Sequence, residues 1–328
     1  MQPNFASKTV LVTDTWDYVA MWLKRNKKGG DAYFYWQQAK SFFDASSSLP
    51  KESSPLTSYY CFLNATKAFL AAHGRHIPNM HGAKGWSVGK AALSNEKVRF
   101  YQDGVLSELC RALGETSNGD EYTLGALLYN LPYIHRAYSL TYTSAPELFT
   151  PISRPHYVRK SGSTEGWFSA VVTDTRYATG HTTNKLPITF ERDEAKANFV
   201  IRRRSRFKWE QGKSKKEANL RRLRSYHRNV RKHVAYIHGP QTLWYIKRRD
   251  NVRDFIPRCP LTLTFAAMHR LSELCRYTPT RLARHFECGH NWLLSEFIAT
   301  APQQFMDEIS SAITGQDFMI PGRRASGA

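Results

Sequence analysis

Residues 56–73, LTSYYCFLNATKAFLAAH, decide how the chain folds. Apolar side chains recur around most of a helical circumference, and Gly74 follows as a residue suited to closing the helix. A helix that is apolar on nearly every side belongs at the centre of a packed unit. Asn64 and Lys67 break that pattern. They lie three residues apart on one face and need partners or water.

Working outward, residues 31–43 (DAYFYWQQAKSFF) place Tyr33, Trp36, Ala39, Phe42 and Phe43 at helical spacing, with Asp31 as N-cap after Gly29-Gly30. Residues 76–87 read as a Gly- and His-rich loop. Residues 97–102 alternate like a short strand, a turn follows at Asp103-Gly104, and 105–113 return to helical spacing. Residues 123–138 predict a helix that Pro132 breaks or kinks. Beyond Pro257 and Pro260, three further helices are expected over 261–275, 279–286 and 291–313, before a small polar tail, 321–328, that should fray.

The intervening segment has another character. Residues 156–160, 166–172, 186–191 and 198–207 are short, β-branched and aromatic runs separated by Gly, Ser, Thr and Pro, as in a small antiparallel sheet. Residues 213–237 read as one helix and 242–247 as a closing strand. The expected fold is α+β and predominantly α-helical: helical blocks at 1–147 and 255–328 pack together, with a basic strand-rich insertion at 148–254.

Composition sets the function classes. The 328 residues are 41% hydrophobic and 13% aromatic, enough for a sizeable core. A net charge of +20 and a pI of about 9.8 point to a polyanionic partner. Five scattered cysteines, an odd number, suit free thiols in a reducing compartment. Residues 1–14 show no signal-peptide pattern, and no run is apolar enough to span a membrane. A soluble cytoplasmic protein without a membrane partner is therefore expected.

Residues 202–249 hold seventeen Lys and Arg against Glu210 and Glu217 alone, a local net of +15. On a helical wheel, Leu220, Leu223, Tyr226, Val230, Val234 and Ile237 fall in one sector of about 120°. Arg221, Arg224, Arg228, Arg231 and Lys232 fall in another of about 100°, repeating every 5 to 6 Å or so, close to a phosphate repeat. Just upstream, Arg202, Arg203, Arg204, Arg206 and Lys208 alternate with Phe207 and Trp209, a pattern suited to phosphate pairing and base stacking. Nucleic acid, RNA before DNA, is the expected partner. The alternative is an assembly protein, such as a homodimer, or one whose insertion docks on an acidic protein.

Two Arg/His spacings bear on catalysis. Arg228 with His233, and Arg284 with His290, resemble the signature of HEPN ribonucleases, in which Arg and His act without metal on an RNA 2′-hydroxyl and phosphate. His can move a proton near neutral pH, and Arg can stabilise the developing phosphorane charge. On a straight helix, however, Arg228 and His233 point about 140° apart. No metal or cofactor is expected. Cys288 and His290, with Cys275 or Cys259, match no structural-zinc spacing, and HGAKGWSVGK (residues 81–90) has neither phosphate-loop nor dinucleotide spacing.

Residues 55–68 (PLTSYYCFLNATKA) resemble the stretch in YaaC-like proteins where a Tyr-Tyr pair leads into an Asn-x-x-Lys-Ala helix. His81-Gly82 resembles that family's His-Gly loop, and Leu271-Ser272 with Arg276-Tyr277-Thr278-Pro279 resembles its Leu-Ser and Arg-Tyr-x-Pro signature. The resemblance covers roughly 30–145 and 258–315. It departs where a Trp is expected just beyond Pro279, a region that holds Leu282 and Ala283, and in an Arg-richer middle. It implies a bacterial protein whose helical build is similar to the HEPN class, and by analogy a nucleic-acid-linked stress or antiphage-defence role. Asn64, Lys67, His81 and Arg276 are expected to line one anion-accepting cleft.

Overall fold

The computed structural model describes residues 10–319 except 27, 29, 240–241 and 250–251. The N-terminal residues before Val10, Gly29 and the tail 321–328 lie outside the described residues. The fold is α+β and predominantly helical. It divides into two compact units, one built from residues up to Ala145 together with those from Arg258 onward, the other spanning Pro146–Pro257.

The first unit opens with β1 (Val10–Leu11) and α1 (Thr15–Arg25), a helix missing from the sequence reading, whose first turn is capped by the Asp14 carboxylate. Helix α2 (Asp31–Ser47) follows. Its N-cap is Gly30, so Asp31 stands one place further in, where its charge still faces the positive helix end. Helix α3 (Ser54–Ala72) is the buried centre, ending at His73 with Gly74 at φ +64°. Next come β2 (Ala83–Ser87), β3 (Glu96–Phe100), α4 (Val105–Leu113) and β4 (Glu121–Thr123), the strands forming an antiparallel sheet in the order β2-β3-β4. The expected loop at 76–87 thus ends in a strand. Pro132 does break the following helix, leaving α5 (Leu124–Tyr129), a 3-10 turn and α6 (His135–Thr141).

The second unit comprises β5 (Phe149–Arg159), β6 (Glu165–Val171), α7 (Gly180–Lys185), β7 (Phe190–Arg192), β8 (Val200–Arg203), β9 (Phe207–Lys208), α8 (Lys216–Val230), β10 (Val234–Ile237) and β11 (Leu243–Lys247). Its sheet runs β10-β11-β5-β6-β8-β7, with β9 also on β6. Strand β5 serves both halves, pairing β11 through residues 149–152 and β6 from Ser153 on. The register shift between Ser153 and His156 contains Arg154 at φ +49°, a bulge that lets the sheet curl. The helix expected over 213–237 stops at Val230. Val234 to Ile237 instead pair with Leu243 to Ile246, because β-branched and aromatic side chains find a sheet partner there. Tyr226 and Val230 of α8 bury against Phe168, Phe190 and Ile201 of the sheet.

The chain then returns to the first unit as α9 (Pro260–Tyr277), α10 (Pro279–Glu287), α11 (Asn291–Thr314) and β12 (Phe318–Met319), which pairs in parallel with β1. Helix α3 is clasped by α2, α9 and α11. Phe62 stacks on Phe305 with ring centres 4.1 Å apart, and Tyr59 meets Phe265 edge-on at 5.6 Å.

One buried carboxylate joins the small sheet to the returning helices. Glu96, at 0% exposure, accepts from Arg281 Nε at 2.7 Å and from Arg270 Nη2 and Ser87 Oγ, both at 2.7 Å. His285 Nε2 lies 3.0 Å from the same carboxylate, and His285 Nδ1 lies 2.9 Å from His290 Nε2. Burial pushes the Glu96 pKa up, but the hydrogen bonds from His285, Ser87, Arg270 and Arg281 outweigh it and hold the value at about 2. A carboxyl held below its ordinary range stabilises the fold above that range and loses the contribution as pH falls toward 2.

Thermal unfolding should therefore show Tm dropping steeply between about pH 4.5 and pH 2, a loss of about 3 kcal/mol from Glu96. Glu96→Gln leaves Arg281 without its carboxylate partner and Arg270 with Glu273 alone. It should cost roughly 3–5 kcal/mol at neutral pH and flatten the acid limb. An unchanged neutral Tm in that variant contradicts the role given to Glu96.

Candidate functional site

The arginine-rich strand is more self-contained than its sequence suggests. Arg202 is bound by Glu191 at 2.8 Å and Asp193 at 3.1 Å, and Arg204 lies 3.6 Å from Glu191. Lys208 pairs with Glu210 at 2.8 Å, and Arg222 reaches the other Glu210 oxygen at 2.9 Å. Hydrogen bonds from Lys208 and then Arg222 hold the Glu210 pKa at about 2. The Asn219 amide, itself buried, fixes that loop by bonding both the N–H and the carbonyl of Glu210.

The interleaved aromatics likewise serve the unit's own arginines. Arg203 is buried over the Tyr226 ring at 4.8 Å, and burial lowers its pKa. Arg206 lies over Trp167 at 4.8 Å, and Arg231 over Tyr236 at 4.9 Å and Trp244 at 5.6 Å. Trp209 is half-buried, its backbone N–H bonded to Thr164. Residues 202–209 therefore do not form a row of free cations and open rings. Their carboxylate partners are Glu191 and Asp193, which lie outside the charge run, and Glu210 within it.

The α8 face differs. Leu220, Leu223, Tyr226 and Val230 are buried, as the wheel predicts, while Val234 and Ile237 belong to β10. Arg221 and Arg228 are exposed and Arg224 half-exposed on the outward side, with exposed Lys232 in the turn beyond. Among the described residues no carboxylate pairs with Arg221, Arg224, Arg228 or Lys232. Exposed Lys213, Lys215 and Lys216 precede the face, with Glu217 as the one acid in the first turn.

In neither Arg/His pair are both residues fully exposed. Arg228 is exposed on α8, while His233 sits after the helix end, half-buried, its ring edge-on to Phe190 at 5.8 Å. Arg284 is exposed on α10, while His290 is buried and turned onto His285 in the Glu96 cluster. Burial, then the neighbouring His285, lowers the His290 pKa to about 4. Sequence reasoning could not find this cluster, because Ser87 and Glu96 are remote along the chain from Arg270, Arg281 and His285.

The residues expected to line an anion cleft fall in the first unit. His81 is exposed, with Nδ1 2.6 Å from the Tyr59 hydroxyl. Lys67 Nζ lies 5.3 Å from the Tyr35 ring centre, and the exposed Arg276 lies over Tyr277 at 5.1 Å. The Asn64 Nδ2 donates to the Tyr60 carbonyl of its own helix at 2.8 Å. Among the described residues no group of three or more His, Cys, Asp or Glu is placed to hold a metal ion, and no helix is long and apolar enough to cross a membrane.

No curated protein and no solved structure matches this chain. A family model described as YaaC-like Protein matches residues 3–313, a span that includes the basic unit as well as the helical blocks. The matched span reaches beyond the 30–145 and 258–315 that carry the sequence signatures. The chain belongs to the YaaC-like protein family.

Proposed function

We propose that this protein binds the phosphate backbone of a nucleic acid, RNA in the first instance, through the outward face of α8. The observation that carries the reading is the division of the charge. Arg202, Arg204, Lys208 and Arg222 have carboxylate partners, whereas Arg221, Arg224, Arg228 and Lys232 have none among the described residues. An uncompensated basic face repels itself in the folded state, and a polyanion relieves that repulsion. At 1.5 Å of rise per residue, Arg221, Arg224 and Arg228 span about 10 Å, enough to follow successive phosphates of one strand. The rigid support is physical: the opposite face of α8 is packed into the curled sheet, and Asn219 and Glu210 tie down its first turns.

Binding is the reading this arrangement supports most directly. The metal-free route would set an imidazole beside an arginine at the phosphate, with His as the usual proton carrier. His233 is half-buried against Phe190, and His290 is buried against His285.

Affinity for single-stranded RNA should fall linearly with log salt, with a slope of about −3 for four phosphate contacts. Arg224→Glu with Arg228→Glu should cut affinity at least about tenfold and reduce that slope by one to two units or so, with Tm unchanged. Arg202→Gln should leave RNA affinity within about twofold, because that side chain is already bound to Glu191 and Asp193. Binding that ignores salt, or survives the double substitution, overturns the proposal. Selective retention of one acidic protein in place of RNA would support the assembly reading instead.

A further inference from the structure

The open arrangement of cations and rings that residues 202–209 lack occurs in the first unit, on the outer face of its small sheet. Side chains alternate there from one face to the other. On β3, Glu96, Val98 and Phe100 are buried, while Lys97 is half-exposed and Arg99 exposed. Tyr101 extends the outward row past the strand at 39% exposure, its N–H still bonded to the Gly82 carbonyl at 3.0 Å. On β2, a Cβ on Gly85 would collide with Arg270 of α9, and the Ser87 hydroxyl bonds the buried Glu96. Lys84 and Trp86 therefore occupy the opposite, outward face, Lys84 exposed and Trp86 half-exposed.

The antiparallel register sets the rows across this face. Lys84 stands opposite Arg99 and Arg99 opposite Glu121, while Trp86 stands opposite Lys97 and Lys97 opposite Thr123. Neighbouring strands lie about 4.8 Å apart, and alternate residues of one strand about 7 Å apart. Trp86 thus has Lys84 next to it along its own strand and Lys97 directly across.

The charge on the face is one-sided. Among these outward residues Glu121 is the one acid, and Arg99 engages it through Nε at 2.7 Å and also through Nη2. The same bonds hold the guanidinium, whose carbon lies 5.6 Å from the Trp86 ring centre. Lys84 and Lys97 have no carboxylate partner among the described residues. An indole beside a held guanidinium offers flat surfaces on which bases stack, and lysines at these spacings suit the phosphates that join the bases. A duplex keeps its bases inside and cannot use the ring, whereas a single strand can.

We propose that the outer face of the β2-β3-β4 sheet binds single-stranded nucleic acid, with a base stacked on Trp86 beside Arg99 and phosphates held by Lys84 and Lys97. The choice of RNA as ligand rests on the function proposed for α8, but the face itself does not, because it lies in the first unit and takes bases as well as phosphates.

The test labels the intact protein with 5-fluorotryptophan and follows Trp86 by ¹⁹F spectroscopy, its signal assigned from Trp86→Phe. The unsubstituted protein and the Arg224→Glu, Arg228→Glu variant are titrated in parallel. An adenosine hexamer should shift the Trp86 signal saturably in both, and tripolyphosphate at the same ionic strength should not. In the α8 variant, adding Trp86→Ala should weaken the hexamer at least about fivefold, and adding Lys84→Glu with Lys97→Glu at least about tenfold. Trp86→Tyr should retain most of the affinity. A shift that persists in the α8 variant supports this face even where α8 itself proves not to bind RNA. No saturable shift, an equal shift with tripolyphosphate, a shift lost with the α8 substitutions, or unaltered affinity in both the Trp86→Ala and the lysine variants overturns the inference. A Trp86 shift with hexaglutamate and none with the hexamer would assign the face to an acidic protein and overturn it as well.

Discussion

The buried carboxylate of Glu96 is the contact on which the first unit depends. It sits on β3, early in the chain, and is bound by Arg270 of α9 and by Arg281 and His285 of α10, after the basic unit has been inserted. A charge at zero exposure is tolerable only with several donors in good geometry, and here Ser87 supplies a further one. The aromatic core, with Phe62 on Phe305, supplies apolar burial but little direction. The Glu96 cluster fixes which way α9 and α10 meet the sheet. Because α9 also carries His269, the same contact sets the surroundings of Tyr59 and His81.

In the basic unit the controlling constraint is charge. Twelve of the cations in the run lie between Arg202 and Arg228, and a fold that exposed all of them would be strained by its own field. The sheet removes part of that burden by bringing Glu191 and Asp193 against Arg202 and by looping Glu210 between Lys208 and Arg222. It removes another part by placing Arg203, Arg206 and Arg231 over aromatic rings. The exposed cations without a carboxylate partner among the described residues include Lys213 and Lys215 before α8, Arg221 and Arg228 on it, and Lys232 in the turn beyond.

Much of the helical architecture was legible because helical periodicity is local. The period in 56–73 and the Gly at 74 gave α3 and its end, residues 105–113 gave α4, and Thr278-Pro279 and Gly289 separated the last three helices. The end of α8 was not legible. Val234 and Ile237 continue the helical stripe on a wheel, and only the distant Leu243 to Ile246 offer them a strand partner. The site was legible to the extent that it is local: the α8 stripe and ridge, and the polar positions on α3. Partners distant in sequence were hidden, so neither the neutralisation of Arg202 by Glu191 nor the capture of His290 by His285 could be read from spacing. The placing of Asn64 and Lys67 three apart on one face was legible, but the bond from the Asn64 amide to the Tyr60 carbonyl was not.

The division of arginines into engaged and outward-facing groups is open to direct chemical reading. Phenylglyoxal modification of the native protein, mapped by mass spectrometry with and without bound RNA, reports the reactivity of each guanidinium in one experiment. The account requires Arg221, Arg224 and Arg228 to react readily alone and to be protected by RNA. It requires Arg202 and Arg203 to react slowly in both conditions. Protection of Arg202 with no change on α8, or equal reactivity throughout residues 202–231, would contradict it.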